Sequence, residues 1–253
     1  MPTDAPPDRP SRKVAASSAA LQVGEDHHLC PGCGHPVAWR ILLEVISELD
    51  LARRSIGVVG HGCYTNIVRL ADIDWLQCLH GRAPAVATGV KRVRPEVAVF
   101  TLQGDGDMAS EGLAEVLHAA ARAERITCIM LNNGVFGDTG GQMTAASVVG
   151  QRTKTSLEGR DPATHGYPVP VADLVSRLPG TAYVARGGVG SAGAIAQTKR
   201  YLKRAFELQV AGAGFTFVEV LTMCPTGWFV PTAEGPGYLG ATFEATFPLG
   251  EIR

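Results

Sequence analysis

Residues 97–134 read VAVFTLQGDGDMASEGLAEVLHAAARAERITCIMLNNG, and this stretch decides the architecture. An apolar run at 97–102 ends in Gln103-Gly104-Asp105-Gly106-Asp107. An Ala-rich segment at 108–122 has the composition of a helix. A second apolar run at 126–131 ends in Asn132-Asn133-Gly134. Strand, glycine turn, helix and strand make a β-α-β unit. Strands written as unbroken apolar runs, without alternation, belong to a parallel sheet buried on both faces.

The same alternation extends outward. Residues 36–49 read as a helix with Pro in its first turn and Val37, Ile41, Val45 and Leu49 on one face. Residues 55–60 hold a short buried strand, and 75–79 a further one. A helix at 83–92 stops before Pro95. Residues 171–178, 183–185, 191–208 and 215–221 read as helix, strand, helix, strand. The expected fold class is α/β: a doubly wound, mostly parallel sheet with helices on both faces. The pattern predicts one such domain over residues 25–253 and a mobile tail, rich in Pro, Ala, Ser and Asp, over 1–24.

Ligands of such sheets bind beyond the carboxyl ends of the strands. Four strand ends here carry chemistry: Gly60-His61-Gly62-Cys63, Gly104-Asp105-Gly106-Asp107, Asn132-Asn133-Gly134 and Thr222-Met223-Cys224. Their convergence predicts one site.

Composition narrows the function. The 253 residues balance 23 Lys and Arg against 24 Asp and Glu, which excludes a broad electrostatic grip on nucleic acid. There is no run of eighteen apolar residues, so no membrane span is expected. Six cysteines are too few for a disulfide scaffold, and residues 1–24 lack the apolar core of a secretory signal. A reducing cytoplasmic setting is therefore expected, in which clustered cysteines serve metals or redox chemistry.

The glycines of Gly104-Asp105-Gly106 let backbone amides approach a phosphate closely. A carboxylate beside phosphates requires a divalent cation between them. Mg²⁺ takes oxygen ligands of this kind. Asn133, at the next strand end, offers a neutral oxygen, and the Val135 carbonyl offers another. Asp107 is either a helix N-cap or a cofactor contact.

Cys30-Pro31-Gly32-Cys33 is a C-x-x-C with three readings: zinc ligands, a redox pair, or iron–sulfur ligands. A metal site needs two more ligands, and Cys63 and Cys224 stand at strand ends. Cys78 and Cys128 lie inside apolar segments and read as core residues. His27, His28, His35 and His61 flank the cysteines in sequence. His35 is directed at a phosphate or at the metal site, or simply opens its helix.

Cys-Pro-Gly-Cys-Gly-His (30–35), Gly-His-Gly-Cys (60–63), Gly-Asp-Gly-Asp (104–107), Asn-Asn-Gly-Val-Phe-Gly-Asp-Thr-Gly-Gly-Gln-Met-Thr (132–144) and a late Cys-Pro (224–225) together resemble one family. It is the thiamine-diphosphate-binding beta subunit of the 2-oxoacid:ferredoxin oxidoreductases, and the resemblance covers residues 27 to about 229. The resemblance implies thiamine diphosphate, with Mg²⁺ held by Asp105, Asn133 and the Val135 carbonyl and Gly104 and Gly106 along the diphosphate. It implies a four-iron, four-sulfur cluster on Cys30, Cys33, Cys63 and Cys224. It runs the stretch 138–142, with Thr139 and Gly140, past the thiazolium and diphosphate. The implied activity is oxidative decarboxylation of a 2-oxoacid to acyl-coenzyme A and CO₂, with electrons leaving through the cluster to ferredoxin.

Activation of the aminopyrimidine needs a carboxylic acid, and Glu111 and Glu115, on the helix after the diphosphate loop, read as ordinary helix residues rather than as that acid. In the resembled family an alpha-type partner subunit supplies it, so a hetero-oligomer is expected. Asp138 replaces the Asn, Leu or Met common in the family, and Asn66 replaces a basic residue found in some members. An Asp there repels an acidic substrate unless Arg69 or another chain pairs with it. Two rival readings remain: a non-oxidative thiamine-dependent decarboxylase or synthase subunit whose cysteines hold zinc or nothing, and a metal-stapled scaffold.

Overall fold

A computed structural model describes residues 27–253. The tail expected over 1–24 lies outside the described residues. In chain order the elements are α1 (His35–Glu48), β1 (Ser55–Val59), β2 (Asp74–Gln77), α2 (Ala83–Val93), β3 (Ala98–Gly104), α3 (Leu113–Ala121), β4 (Thr127–Asn132), β5 (Val135–Phe136), β6 (Gln142–Met143), α4 (Pro162–His165), α5 (Val171–Ser176), β7 (Thr181–Gly188), α6 (Ala192–Val210), β8 (Phe215–Leu221), α7 (Pro225–Trp228), α8 (Gly235–Tyr238) and β9 (Gly250–Glu251). Seven strands form one sheet in the order β2-β1-β3-β4-β8-β7-β9. The first six are mutually parallel, and only β9 runs antiparallel, at the edge. This is the doubly wound α/β fold that the apolar runs predict.

Helices cover both faces. On one, Ala38, Ile41, Leu42, Val45 and Ile46 of α1 pack with Tyr201, Leu202, Ala205 and Phe206 of α6 over Phe100, Leu102 and Val218. The α1 positions follow helical spacing, which puts them on one stripe. On the other face, α2, α3 and α5 contribute Ala83, Ala87, Val116, Ala119, Val171 and Val175 over Val99, Met130 and Phe217. With both faces covered, every residue of β4 and β8 is buried. Among the described residues no helix is long and apolar enough to cross a membrane.

Two parts differ from the sequence reading. The helix expected over 108–122 starts as a π-helical turn, Gly106–Glu111, and becomes α-helical only at Leu113. Gly112 separates the two with a non-helical backbone, φ −118° and ψ 17°, and a Cβ there would lie 2.5 Å from the Gly81 carbonyl oxygen, so glycine is needed at the join. The other is the segment after β8, in which α7, α8, a π-helical turn (Leu239–Glu244) and β9 follow one another. Its Trp228, Leu239, Phe243 and Phe247 pack on Val135, Val148 and Leu221 as a third core cluster.

Candidate functional site

The carboxyl ends of β1, β3, β4 and β8 meet, and two adjoining cavities open there. The smaller, about 70 Å³, is lined by His35, Tyr64, Gly104, Asp105, Gly106, Asp107, Asn133, Val135 and Thr139, among others. The larger, about 540 Å³, is lined by Cys30, Cys33, Cys63, Cys224, Asn66, Gly140 and Lys154, among others. His35, Cys63, Asn133, Gly137 and Asp138 line both, so the two share a wall.

Asp105 is 1% exposed. One carboxylate oxygen accepts the Asn133 amide at 3.2 Å and the other the Thr144 hydroxyl at 2.5 Å. Among the described residues neither Lys nor Arg pairs with it. Burial pushes its carboxyl up to about 7, against the partial relief of those two donors. A buried carboxylate without a countercharge is costly, and a cation removes the cost. The donor set also fits Mg²⁺: a carboxylate, with the Asn133 side chain and the Val135 backbone beside it. In this structure the Asn133 side-chain oxygen accepts the Val135 amide at 3.1 Å, closing an Asx turn.

Gly104 ends β3, and Gly106 starts the π-helical turn. A Cβ on Gly106 would lie 2.4 Å from the Phe136 ring, so only glycine fits below that ring. Thr139 donates its hydroxyl to the Gln142 side chain at 2.7 Å on the tip of the β5–β6 hairpin. Gly140 lines the cysteine cavity rather than the cleft.

Asp107 corrects one expectation. It makes no helix cap. Its buried carboxylate accepts the Tyr64 hydroxyl and the Gly81 amide, which ties the loops after β1 and β2 to the Gly-Asp-Gly turn. Each oxygen accepts one donor, so Asp107 braces the cleft that it also lines.

His35 is the first residue of α1 and is buried in the shared wall. Its Nε2 lies 3.4 Å from the Asn133 side-chain nitrogen. Its Nδ1 has no hydrogen-bond partner within the protein. Burial drives its pKa down to about 4, so the ring is neutral at physiological pH.

All six cysteines are free thiols. Cys30 and Cys33 are joined in a turn, with the Cys33 amide donating to the Cys30 carbonyl at 3.1 Å. The Gly34 amide donates to the Met223 carbonyl at 2.9 Å, which draws this turn against Cys224. A Cβ on Gly137 would lie 3.3 Å from the Cys63 sulfur and 3.9 Å from that of Cys224, so both flank one point of the hairpin. Burial raises Cys33 to about 11 and Cys63 and Cys224 to about 12. The field of Asp105 contributes at Cys224, which puts the two halves of the site within electrostatic reach. Cys128 lies buried in β4, as its apolar context predicts. Asn66 donates to the Cys63 carbonyl at 3.0 Å. Arg69 is exposed and lines neither cavity.

Several site residues escaped the sequence. His80 packs against Phe136 with the rings tilted and their centroids 5.9 Å apart, at the cleft. Thr144 reaches Asp105 from the far end of the hairpin. The Trp228 indole donates to the Asn133 carbonyl at 2.7 Å. Glu219, in the middle of β8, accepts the Asn132 side chain and the Arg186 guanidinium, each at 2.7 Å. Only the Asn132-Asn133-Gly134 turn signalled that something must hold it.

Residues 62–220 match the family described as thiamine pyrophosphate enzyme, C-terminal TPP binding domain. A "2-oxoacid:ferredoxin oxidoreductase subunit beta" of Saccharolobus solfataricus is 31% identical over 219 residues, which are 85% of this chain and 68% of the relative. The chain belongs to this family of thiamine-diphosphate-binding beta subunits. A "ketoisovalerate oxidoreductase subunit VorA" of Methanothermobacter marburgensis is 38% identical over 226 residues, 89% of this chain but 47% of the relative. The chain thus spans about half the length of that relative. A solved 2-oxoglutarate:ferredoxin oxidoreductase from Magnetococcus marinus, with 2-oxoglutarate, coenzyme A and succinyl-CoA bound, superposes with a TM-score of 0.74 at 28% identity, over 83% of this chain and 69% of that one. This chain therefore shares its fold with that solved enzyme.

Proposed function

We propose that this chain is the thiamine-binding half of an enzyme that oxidatively decarboxylates a 2-oxoacid to acyl-coenzyme A and CO₂ and passes the electrons to ferredoxin. The observation that carries the reading is the shared wall. A cleft with a buried, unpaired carboxylate adjoins a cavity lined by four free thiols. The names of the relatives support the chemistry.

In this reading Asp105, Asn133 and the Val135 carbonyl hold Mg²⁺, and Gly104 and Gly106 admit the diphosphate to the backbone. Thr139 borders the cofactor from the hairpin, Gly140 stands on the cysteine side of the same tip, and neutral His35 separates the cofactor from the metal cavity. Cys30, Cys33, Cys63 and Cys224 hold a four-iron, four-sulfur cluster. When bound, thiamine diphosphate supplies an electron sink for decarboxylation and the cluster supplies one-electron acceptance.

The acid that activates the aminopyrimidine comes from an alpha-type partner subunit. Glu115, on the helix after the diphosphate turn, is instead paired with Arg82. The chain acts as one thiamine-binding α/β domain over 25–253, in the cytoplasm, with ferredoxin as electron acceptor.

The test is anaerobic purification of the chain with its partner, followed by iron, sulfide, zinc and thiamine analysis and a screen of several 2-oxoacids with coenzyme A and a viologen. Iron, sulfide and acid-dependent viologen reduction are expected. Stoichiometric zinc without iron would sink the oxidative reading. Asp105→Ala is expected to lose thiamine diphosphate and keep iron, and Cys224→Ser to keep thiamine diphosphate and lose redox turnover. Equal loss of both cofactors in both variants would contradict the two-site division.

A further inference from the structure

The tip of the β5–β6 hairpin carries a charge to the metal cavity. The Gly141 amide donates to the Phe136 carbonyl at 2.8 Å and the Gly140 amide to the Gly137 carbonyl at 3.2 Å, so the tip is a tight turn. Gly140 and Gly141 take φ of 118° and 95°, which only glycine adopts without strain. This turn sets Asp138 against the cysteines, with its Oδ1 3.9 Å from the Cys63 sulfur. Among the described residues no cation neutralises Asp138. Lys154, which lines the same cavity, lies over the Phe229 ring at 5.7 Å, and its amide donates to the Gly141 carbonyl at 2.9 Å.

A free thiol can donate its proton to this carboxylate. A metal-bound thiolate has no proton to donate, so the contact becomes negative charge facing negative charge. Each electron added to the cluster makes that contact worse. The potential of an iron–sulfur cluster falls with negative charge nearby and rises with hydrogen bonds to its sulfurs. We propose that Asp138 holds down the reduction potential of the cluster on Cys30, Cys33, Cys63 and Cys224, making its reduced form a stronger electron donor. The inference rests on the cluster reading above. It assigns Asp138 a tuning role through Cys63, separate from metal ligation.

An asparagine of the same shape would remove the charge and offer an N–H to the Cys63 sulfur. Both changes act in the same direction. The experiment is an anaerobic dithionite titration of the co-purified complex with redox mediators, followed by electron paramagnetic resonance of the couple [4Fe–4S]²⁺ + e⁻ → [4Fe–4S]⁺. At the wild-type midpoint, Asp138→Asn is expected to hold the reduced cluster in about tenfold excess, which for one electron is a positive shift of about 59 mV. Asp138→Ala is expected to shift the same way by less, because it removes the charge without adding a donor, and it carries the measurement if the Asn variant fails to load iron. Iron-loaded variants whose midpoint is unchanged or more negative would overturn this inference and leave the cluster reading standing. A wild-type complex without iron would overturn the cluster reading itself.

Discussion

Two buried carboxylates lie on the same sheet and are treated in opposite ways. Glu219, inside β8, is 1% exposed and enclosed by the protein: Arg186 and Asn132 each donate to it at 2.7 Å. Arg186 in turn holds Asp173 at 2.7 Å, near the surface. Asp105, at the end of β3, is equally buried, yet its two protein donors are a neutral amide and a neutral hydroxyl. The difference separates a carboxylate that shapes the site from one kept ready for a cation. Glu219 shapes it by fixing Asn132, whose side-chain oxygen accepts the Gly134 amide at 3.2 Å and so sets the turn bearing Asn133. The field of Glu219 also adds to the raised proton affinity of Asp105.

The comparison is broken most directly at its paired member. Arg186→Met leaves Glu219 buried without its countercharge, at an expected cost of about 3–5 kcal/mol in urea unfolding. The double variant Arg186→Met with Glu219→Met is expected to recover most of that loss. A single-variant cost below about 1 kcal/mol would mean that the pair is not structural.

The unpaired member predicts the reverse sign. In metal-free and thiamine-free protein at pH 8, Asp105→Asn is expected to raise stability by about 1 kcal/mol while abolishing cofactor retention, the exchange typical of functional sites. The pH dependence follows from the raised carboxyl, at about 7 in the folded chain. The unfolded chain titrates near the ordinary value of roughly 4. A raised folded-state value means that wild-type stability is fully present below roughly pH 4 and is lost as pH rises to about 7. The advantage of the variant therefore grows across that window and is constant above it. Thermal melts of both proteins from pH 4 to 8 check it, and a variant that melts lower at pH 8 would show that Asp105 is already neutralised from within.

A surface pair sets the floor. Lys199 bridges Glu44 and Glu48 at 2.8 and 2.7 Å on the exposed seam between α1 and α6. Lys199→Ala is expected to cost less than about 1 kcal/mol, and less still in high salt, because water screens the pair. A larger loss would remove the contrast between buried and exposed pairing.

The apolar runs at 97–102, 126–131 and 215–221 carry their burial in their composition, and so their parallel pairing was legible. The strand ends were legible too, because glycine, acidic, amide and thiol residues break those runs abruptly. The β5–β6 hairpin was less so. Its strands are two residues each, too short for any period, and its turn is built from glycines that also read as loop. The segment after Cys224 hid for a related reason: proline and glycine punctuate it, and its aromatic residues find each other only in space. Glu219 was illegible because its partner Arg186 lies 33 residues away, on a neighbouring strand.

What the chain order alone determined is local: which segments are apolar enough to be buried on both faces, where glycine permits a close backbone approach, and which groups able to bind cations or metals stand at the breaks. Folding in three dimensions decided which of those groups meet. It placed four sulfurs drawn from three separate loops around one cavity, left one acid open and closed another, and pressed a hairpin tip bearing a negative charge against a thiol. The physical reason is range. Propensity and hydrophobic pattern act over a few neighbouring residues, whereas charge pairing, desolvation and cavity shape depend on atoms that only the sheet brings within a few ångströms.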